Sequence, residues 1–266
     1  MVLDPIPERL ARAKSSDGGY GSVPGAPPEP EPTAMAALAL GDPDAVAWLV
    51  SNQAVDGSFG MTAGSVVSDH TAVVSLSLPA GASRERALDH VESVTGTNSA
   101  AGPQEPPYGW PWTDGAYGWT EPTAWGVLAL RINRSGSPRI ADGLDVLRSR
   151  ECPGGGWNYG TPVSFGVDQP PFAQTTAVAL FATNGLDPAL TKRGQAMLAA
   201  RWRAEAGGLL TLATATAAFR ALGDPLLTQA AALLERDVQA DRSADTVALA
   251  WSALALGRGL DEAVAS

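Results

Sequence analysis

Six times along the chain an apolar run opens on threonine and then stays almost free of charge: EPTAMAALAL from Glu31, SDHTAVVSLSL from Ser68, EPTAWGVLAL from Glu121, QTTAVALFAT from Gln174, TATAAFRAL from Thr214 and ADTVALAWSALAL from Ala244. A helix that is apolar on every side has no face for water, so these six predict fully buried helices. Between them lie segments of a second kind, such as PRIADGLDVLRSR, whose charges gather on one side and predict amphipathic helices.

The second kind announces its own starts. Asp4-Pro5, Asp42-Pro43, Ser137-Pro138, Asp187-Pro188 and Asp224-Pro225 each place a capping side chain before a proline. That pairing suits a helix N-terminus, where the missing proline N–H loses no hydrogen bond. The sixth member starts at Ser83, with the cap and without the proline.

A glycine-aromatic turn precedes most of the apolar runs: DGGYG (17–21), DGSFG (56–60), DGAYGW (114–119), GGGWNYG (154–160) and a worn AGGLL (206–210), while the last round has none. Glycine permits the left-handed backbone of a tight turn, and the aromatic plugs the space between neighbouring helix pairs. Amphipathic helix, glycine turn, buried helix: this unit repeated six times predicts an all-α (α/α)6 toroid of six inner and six outer helices. An open solenoid is the alternative. The first element is an outer helix and the last an inner one, so closure would pair them across the termini, and no boundary divides residues 1–266 into domains.

Composition narrows the partners. The net charge of −10 repels phosphate backbones and anionic membrane surfaces, which argues against nucleic acid. No apolar run approaches the roughly 20 residues of a transmembrane helix, and the start, MVLDPIPERLARAK, lacks the apolar core of a signal peptide. A single cysteine, Cys152, precludes an intrachain disulfide and points to a reducing cytoplasm.

The segments DGGYG…EPTAMAALAL, DGAYGWTEPTAWGVLAL and GGGWNYG…QTTAVALFAT resemble the repeats of squalene–hopene cyclases and of protein prenyltransferase β subunits, over nearly the whole chain. The repeat glutamine of the cyclases has a counterpart at Gln53, with Lys14 and Arg150 at roughly equivalent places. The resemblance implies the toroid fold and an isoprenoid-like hydrophobic ligand. It does not extend to the zinc site of the prenyltransferases. Where their Asp-x-Cys pair would stand, Cys152 is preceded by Arg150, and both histidines, His70 and His90, come earlier in the chain. No metal and no cofactor is expected.

Class II terpene cyclases protonate an alkene with the third aspartate of a DxDD motif, and aligning SDHTAVV on that motif sets Asp69 on the acid, beside His70. Asp245 holds the matching position in the last round. The competing reading is that both aspartates only cap helices, and that Glu31 and Glu121 are first-turn carboxylates favoured by the helix dipole.

Aromatic residues make up 6% of the chain, yet Trp110, Trp112, Tyr117, Trp119 and Trp125 crowd one round, and Trp157, Tyr159, Phe165 and Phe172 the next. These rounds carry insertions at 97–113 and 161–172, where a repeat fold places its binding surface. Trp110, Trp112, Trp119, Trp125, Phe165, Asp168 and Phe172 are therefore the candidate ligand contacts around a central apolar pocket. Two further functions compete with a cyclase-like enzyme. One is a non-catalytic lipid- or protein-binding module. The other is a carbohydrate-active enzyme in which Glu31, Asp69, Glu121 and Asp245 converge on one rim. No phosphate-binding loop is present, and the inner helices offer only Arg131 and Arg220 as cations, which favours a neutral ligand.

Overall fold

A computed structural model describes residues 5–60, 70–97, 108–113, 115–240 and 243–265. Asp69 lies outside the described residues. The described chain is all-α, with thirteen helices and one two-residue antiparallel strand pair, Val163–Ser164 with Val167–Asp168.

The apolar runs form α2 (Pro30–Leu40), α4 (Thr71–Ser77), α6 (Thr120–Asn133), α8 (Ala173–Thr183), α10 (Leu209–Ala221) and α12 (Thr246–Leu256). In α6, ten of the eleven positions from Thr120 to Leu130 are buried, the exception being Glu121. The amphipathic segments form α1 (Pro5–Ala11), α3 (Pro43–Ser51), α5 (Ala82–Ser93), α7 (Arg139–Ser149), α9 (Pro188–Glu205) and α11 (Leu227–Gln239). Each buries one stripe; in α11 it is Ala230, Leu234 and Val238, spaced one turn apart.

Two of the expected caps are present as such. Asp42 accepts from the Asp44 N–H at 3.0 Å, and Asp187 from Leu190 N–H at 3.0 Å. Asp4 lies outside the described residues, and three starts are displaced, α7 having Pro138 rather than Ser137 as its N-cap. The N-cap of α5 is Gly81 rather than Ser83, and the Ser83 hydroxyl instead donates to Gln53 Oε1 at 2.7 Å. Asp224 closes a turn ahead of α11 by accepting from Leu226 N–H.

Each buried helix packs on the next, α2 on α4, α4 on α6, α6 on α8, α8 on α10 and α10 on α12, and α12 packs on α2. The first helix packs on the twelfth, as expected of a pair formed across the termini. Side chains stitch these ends: Arg9 donates to Val238 O at 2.8 Å, and Thr246 donates to Gly21 O at 2.6 Å. A thirteenth helix, α13 (Leu260–Ala265), follows the last apolar run and packs on α2, α10 and α12. Its apolar positions, Leu260, Ala263 and Val264, are too few to register as a periodic pattern.

The glycine-aromatic turns have one shared chemistry. The backbone N–H of Tyr20, Phe59, Trp110 and Trp157 donates to the hydroxyl of Thr33, Thr71, Thr123 and Thr176, at 2.9, 2.8, 3.0 and 2.9 Å. Each of those threonines belongs to the buried helix that follows. The carbonyl of each aromatic accepts in turn from the residue just before that helix: Glu29, His70, Trp119 and Phe172. The turn is thus pinned to the helix by both of its backbone groups, satisfying polar atoms that packing would otherwise orphan.

The same contact explains the glycine. A Cβ at Gly109 would stand 2.6 Å from Thr123 Oγ1, and one at Gly156 would stand 2.9 Å from Thr176 Oγ1. In these two rounds a side chain there would crowd the threonine, whereas in the second round Ser58 precedes Phe59 and the same bond forms.

This pattern corrects the third round. Trp110, not Tyr117, is the aromatic equivalent to Tyr20, Phe59 and Trp157, so the repeated turn is Gly109-Trp110, ahead of the DGAYGW segment. Trp110 is 3% exposed, donates its indole N–H to Val91 O at 2.7 Å, and lies under the Arg139 guanidinium at 4.3 Å. Trp157 repeats the arrangement by donating to Leu147 O at 2.7 Å.

Candidate functional site

The N-terminal ends of the buried helices carry the candidate chemistry. Counting back two positions from the hydrogen-bonding threonines Thr33, Thr71, Thr123 and Thr176 gives Glu31, Asp69, Glu121 and Gln174. Three rounds therefore hold a carboxyl at one repeat position.

Glu31 sits in the first turn of α2 and Glu121 in the first turn of α6. A helix N-terminus favours a carboxylate by roughly 0.3–1 kcal/mol. Here the opposite sign prevails. Both side chains are half-buried, and the desolvation of their crowded surroundings pushes both carboxyls up to about 7, with Asp245 and Glu29 adding to the effect on Glu31, and Glu31 adding to that on Glu121. The upward displacement corresponds to about 3 kcal/mol, several times the dipole contribution. Glu31 of α2 thus feels Asp245 at the α12 N-cap, and Glu121 of α6 feels Glu31, although α2 and α6 are not neighbours in the helix series.

Two further groups complete the surroundings. His70 Nδ1 lies 3.4 Å from Glu31 Oε2, and its ring packs against Trp112 with centroids 5.6 Å apart. His70 is 8% exposed. The Trp125 indole N–H donates to the Glu121 carboxyl from one turn further along α6, which moderates the upward push. No Lys or Arg contributes to either shift.

One turn beyond the carboxyls the interior is aromatic. Trp251 of α12 meets Phe181 of α8 in a stacked pair at 5.6 Å and Trp125 of α6 at 5.9 Å, all three buried. What remains against His70, Trp112 and Trp125 is a recess of about 10 Å³, room for about one water.

The remaining sequence candidates divide. Trp112 and Trp119 are half-buried at the rim, and Trp119 is the residue preceding α6. Phe172 precedes α8 and packs on Tyr159 at 5.1 Å. Asp245 caps α12, accepting from Ala248 N–H at 2.7 Å, while remaining in electrostatic reach of Glu31. Phe165 and Asp168 are not drawn in: Phe165 lies in the turn of the hairpin and Asp168 on its second strand, both with their side chains exposed, Phe165 in full. The aromatic-rich sequence there folds outward because residues 161–169 close a hairpin of their own, with Gln169 N–H donating to Pro162 O at 2.8 Å.

Glu205 was not foreseen. From the end of α9 it accepts from Ala173 N–H at 2.7 Å and so caps α8 across the gap between rounds. No local cap pattern in the sequence announces such a contact, because donor and acceptor are far apart in the chain.

Cys152 is buried and its thiol pushed upward by that burial, as suits an inert thiol. Among the described residues no three His, Cys, Asp or Glu side chains gather to hold a metal ion, and no helix is long and apolar enough to cross a membrane. No protein-family model matches the chain, and a search of curated proteins returns no match.

Proposed function

We propose that this protein is a single-domain (α/α)6 toroid whose N-terminal rim acts as a proton-transfer site on a neutral, isoprenoid-like substrate. The toroid reading rests on the succession of contacts from α2 through α12 and back to α2, with α1 paired to α12. The proton-transfer reading rests on one observation: Glu31 and Glu121, on different rounds, are both held near pH 7 beside tryptophans with no Lys or Arg partner among the described residues, the His70 imidazole being the basic group within reach of Glu31. At neutral pH such a pair offers one carboxyl that holds a proton and one that can take it back.

In this reading one carboxyl O–H breaks as its proton passes to the substrate, and the second carboxylate removes a proton to end the reaction. A donor near 7 matches an oxygen function, such as an epoxide or an alcohol, better than an unactivated alkene, which asks for a stronger acid. Asp69, at the repeat position of Glu31 and Glu121, is a third candidate donor. Trp112, Trp125 and Trp251 supply the apolar floor and face any developing cation, each ring contributing about 0.5–2 kcal/mol.

A carbohydrate substrate is the second reading, favoured by the gathering of Glu31, Glu121 and Asp245 beside tryptophan rings. One experiment separates the two. The native chain and the E31Q, E121Q and D69N variants are incubated with squalene, its epoxide, shorter polyprenyl alcohols and a panel of oligosaccharides, and products are read by mass spectrometry. Product from an isoprenoid, reduced at least about 100-fold in E31Q or E121Q, is the expected result. Turnover of oligosaccharide alone transfers the site to carbohydrate chemistry. Hydrocarbon binding with no turnover leaves a binding module.

A further inference from the structure

We propose that the hairpin at 161–169 is a lipid-surface contact that dips Phe165 into a bilayer of zwitterionic lipid. Its tip is built against local preference. Ser164 pairs with Val167, so Phe165 and Gly166 are the two central residues of the turn, at φ 51° and 76°. Two-residue hairpin turns with positive φ at both positions favour Asn-Gly, and a bulky side chain at the first is an outlier. Phe165 is the one non-glycine residue of positive φ among the described residues, and its ring is fully exposed. The chain thus holds an aromatic ring in an unfavourable backbone conformation, open to water on every side.

Its neighbours share that exposure. Nine large hydrophobic side chains are exposed among the described residues, and four of them, Tyr159, Val163, Phe165 and Val167, fall within nine positions. From Gly154 to Ala173 the only charged side chain is that of Asp168, which pairs with Val163 and so stands one pair further from the turn than Ser164 and Val167. Apolar side chains scattered singly over a surface are ordinary; a charge-free cluster is not.

What covers the cluster follows from its size and charge. A stable protein interface takes about 20–30 residues from each side, several times the four side chains on offer, and the net charge of −10 sets one copy of the chain against another. A bilayer needs no matching shape, only apolar side chains presented together, with tyrosine suited to its wet boundary. The same net charge selects the lipid, because an anionic leaflet repels the chain. The hairpin is rooted at the N-terminal ends of α6 and α8, where Thr120 N–H donates to Tyr159 O at 3.0 Å and Phe172 N–H to Trp157 O at 2.9 Å, so it shares an end of the molecule with Glu121. A water-insoluble substrate would then reach the rim from the lipid, but the attachment itself stands without the proton-transfer reading.

Flotation with phosphatidylcholine vesicles, with and without phosphatidylserine, tests this on the native chain, F165N, F165W and E31Q, alongside the Tm and sedimentation velocity of each. The native chain and F165W are expected to float with phosphatidylcholine, less so once phosphatidylserine is added, and F165N to lose at least about 10-fold in partition coefficient. Asparagine suits the left-handed turn, so F165N should melt no lower than the native chain. E31Q should bind as the native chain does, which separates attachment from proton transfer. No flotation of the native chain, equal binding by F165N, tighter binding to phosphatidylserine vesicles, or a lower Tm in F165N overturns the proposal. So does self-association without lipid that F165N abolishes, which would make the hairpin an interface between copies.

Discussion

Replacing Glu31 by glutamine is expected to stabilise the protein above pH 7 by about 2 kcal/mol, less than the full displacement because the side chain is 30% exposed and partly screened by water, raising Tm by roughly 4–8 °C for a chain of this size. The sign follows from the proton inventory. Burial holds the Glu31 carboxyl at about 7 in the folded state, whereas an unfolded glutamate titrates near its ordinary value of about 4.3. Below both values the group is protonated in either state and contributes nothing. Between them the native state binds more protons than the unfolded state, so native stability falls as pH rises, and the full deficit persists above about 7. Glutamine mimics the protonated form at every pH and escapes the loss. The gain should therefore vanish at pH 4. It should also overlap with that of E121Q, because the Glu31 charge raises the Glu121 carboxyl and a charge–charge repulsion is shared by both partners, so the double variant should gain less than the sum. Thermal melts of the native chain and the three variants at pH 4 and pH 8 check this. Unchanged or lowered Tm of both single variants at pH 8 would reject a buried, protonated pair. A stabilising loss of a charged residue is the signature of a group retained for function rather than for folding.

The second large effect is expected at Trp251. Its ring joins α12 to Phe181 of α8 and Trp125 of α6, helices that are not its neighbours in the series. Truncation to alanine removes an indole that is 3% exposed and leaves a cavity that three separate helices would have to move to fill. A loss of about 3–5 kcal/mol is expected in denaturant unfolding, with W251F losing markedly less because a stacked ring is kept. A loss below about 1 kcal/mol in W251A would mean that the rings do not bridge the interior.

The helical succession was legible because the buried helices lack charge on every face and the amphipathic ones do not, a contrast that survives sequence drift. The caps at Asp42, Asp187 and Asp245 were legible for a similar reason, since the hydrogen bond joins residues two or three apart. What escaped depends on distance in the chain. The threonine that receives each turn lies 12 to 19 residues downstream, so a second tyrosine and tryptophan after Trp110 shifted the turn of the third round to the wrong aromatic. The exposed hairpin at 161–169 escaped because its composition is that of a ligand-facing loop, and only the backbone shows which way it folds.

The carboxyls were half legible. Their position at helix starts was visible, but position alone favours ionisation through the dipole, and the sequence carries no measure of the burial that reverses it.

The most direct test of this account is a carboxyl titration of Glu31 and Glu121 by NMR, using glutamate labelled at the side-chain carbon and the E31Q and E121Q variants for assignment. The account predicts two coupled transitions near pH 7, with the remaining carboxyl moving downward in either variant. Both groups titrating near 4.5, each indifferent to removal of the other, would contradict it.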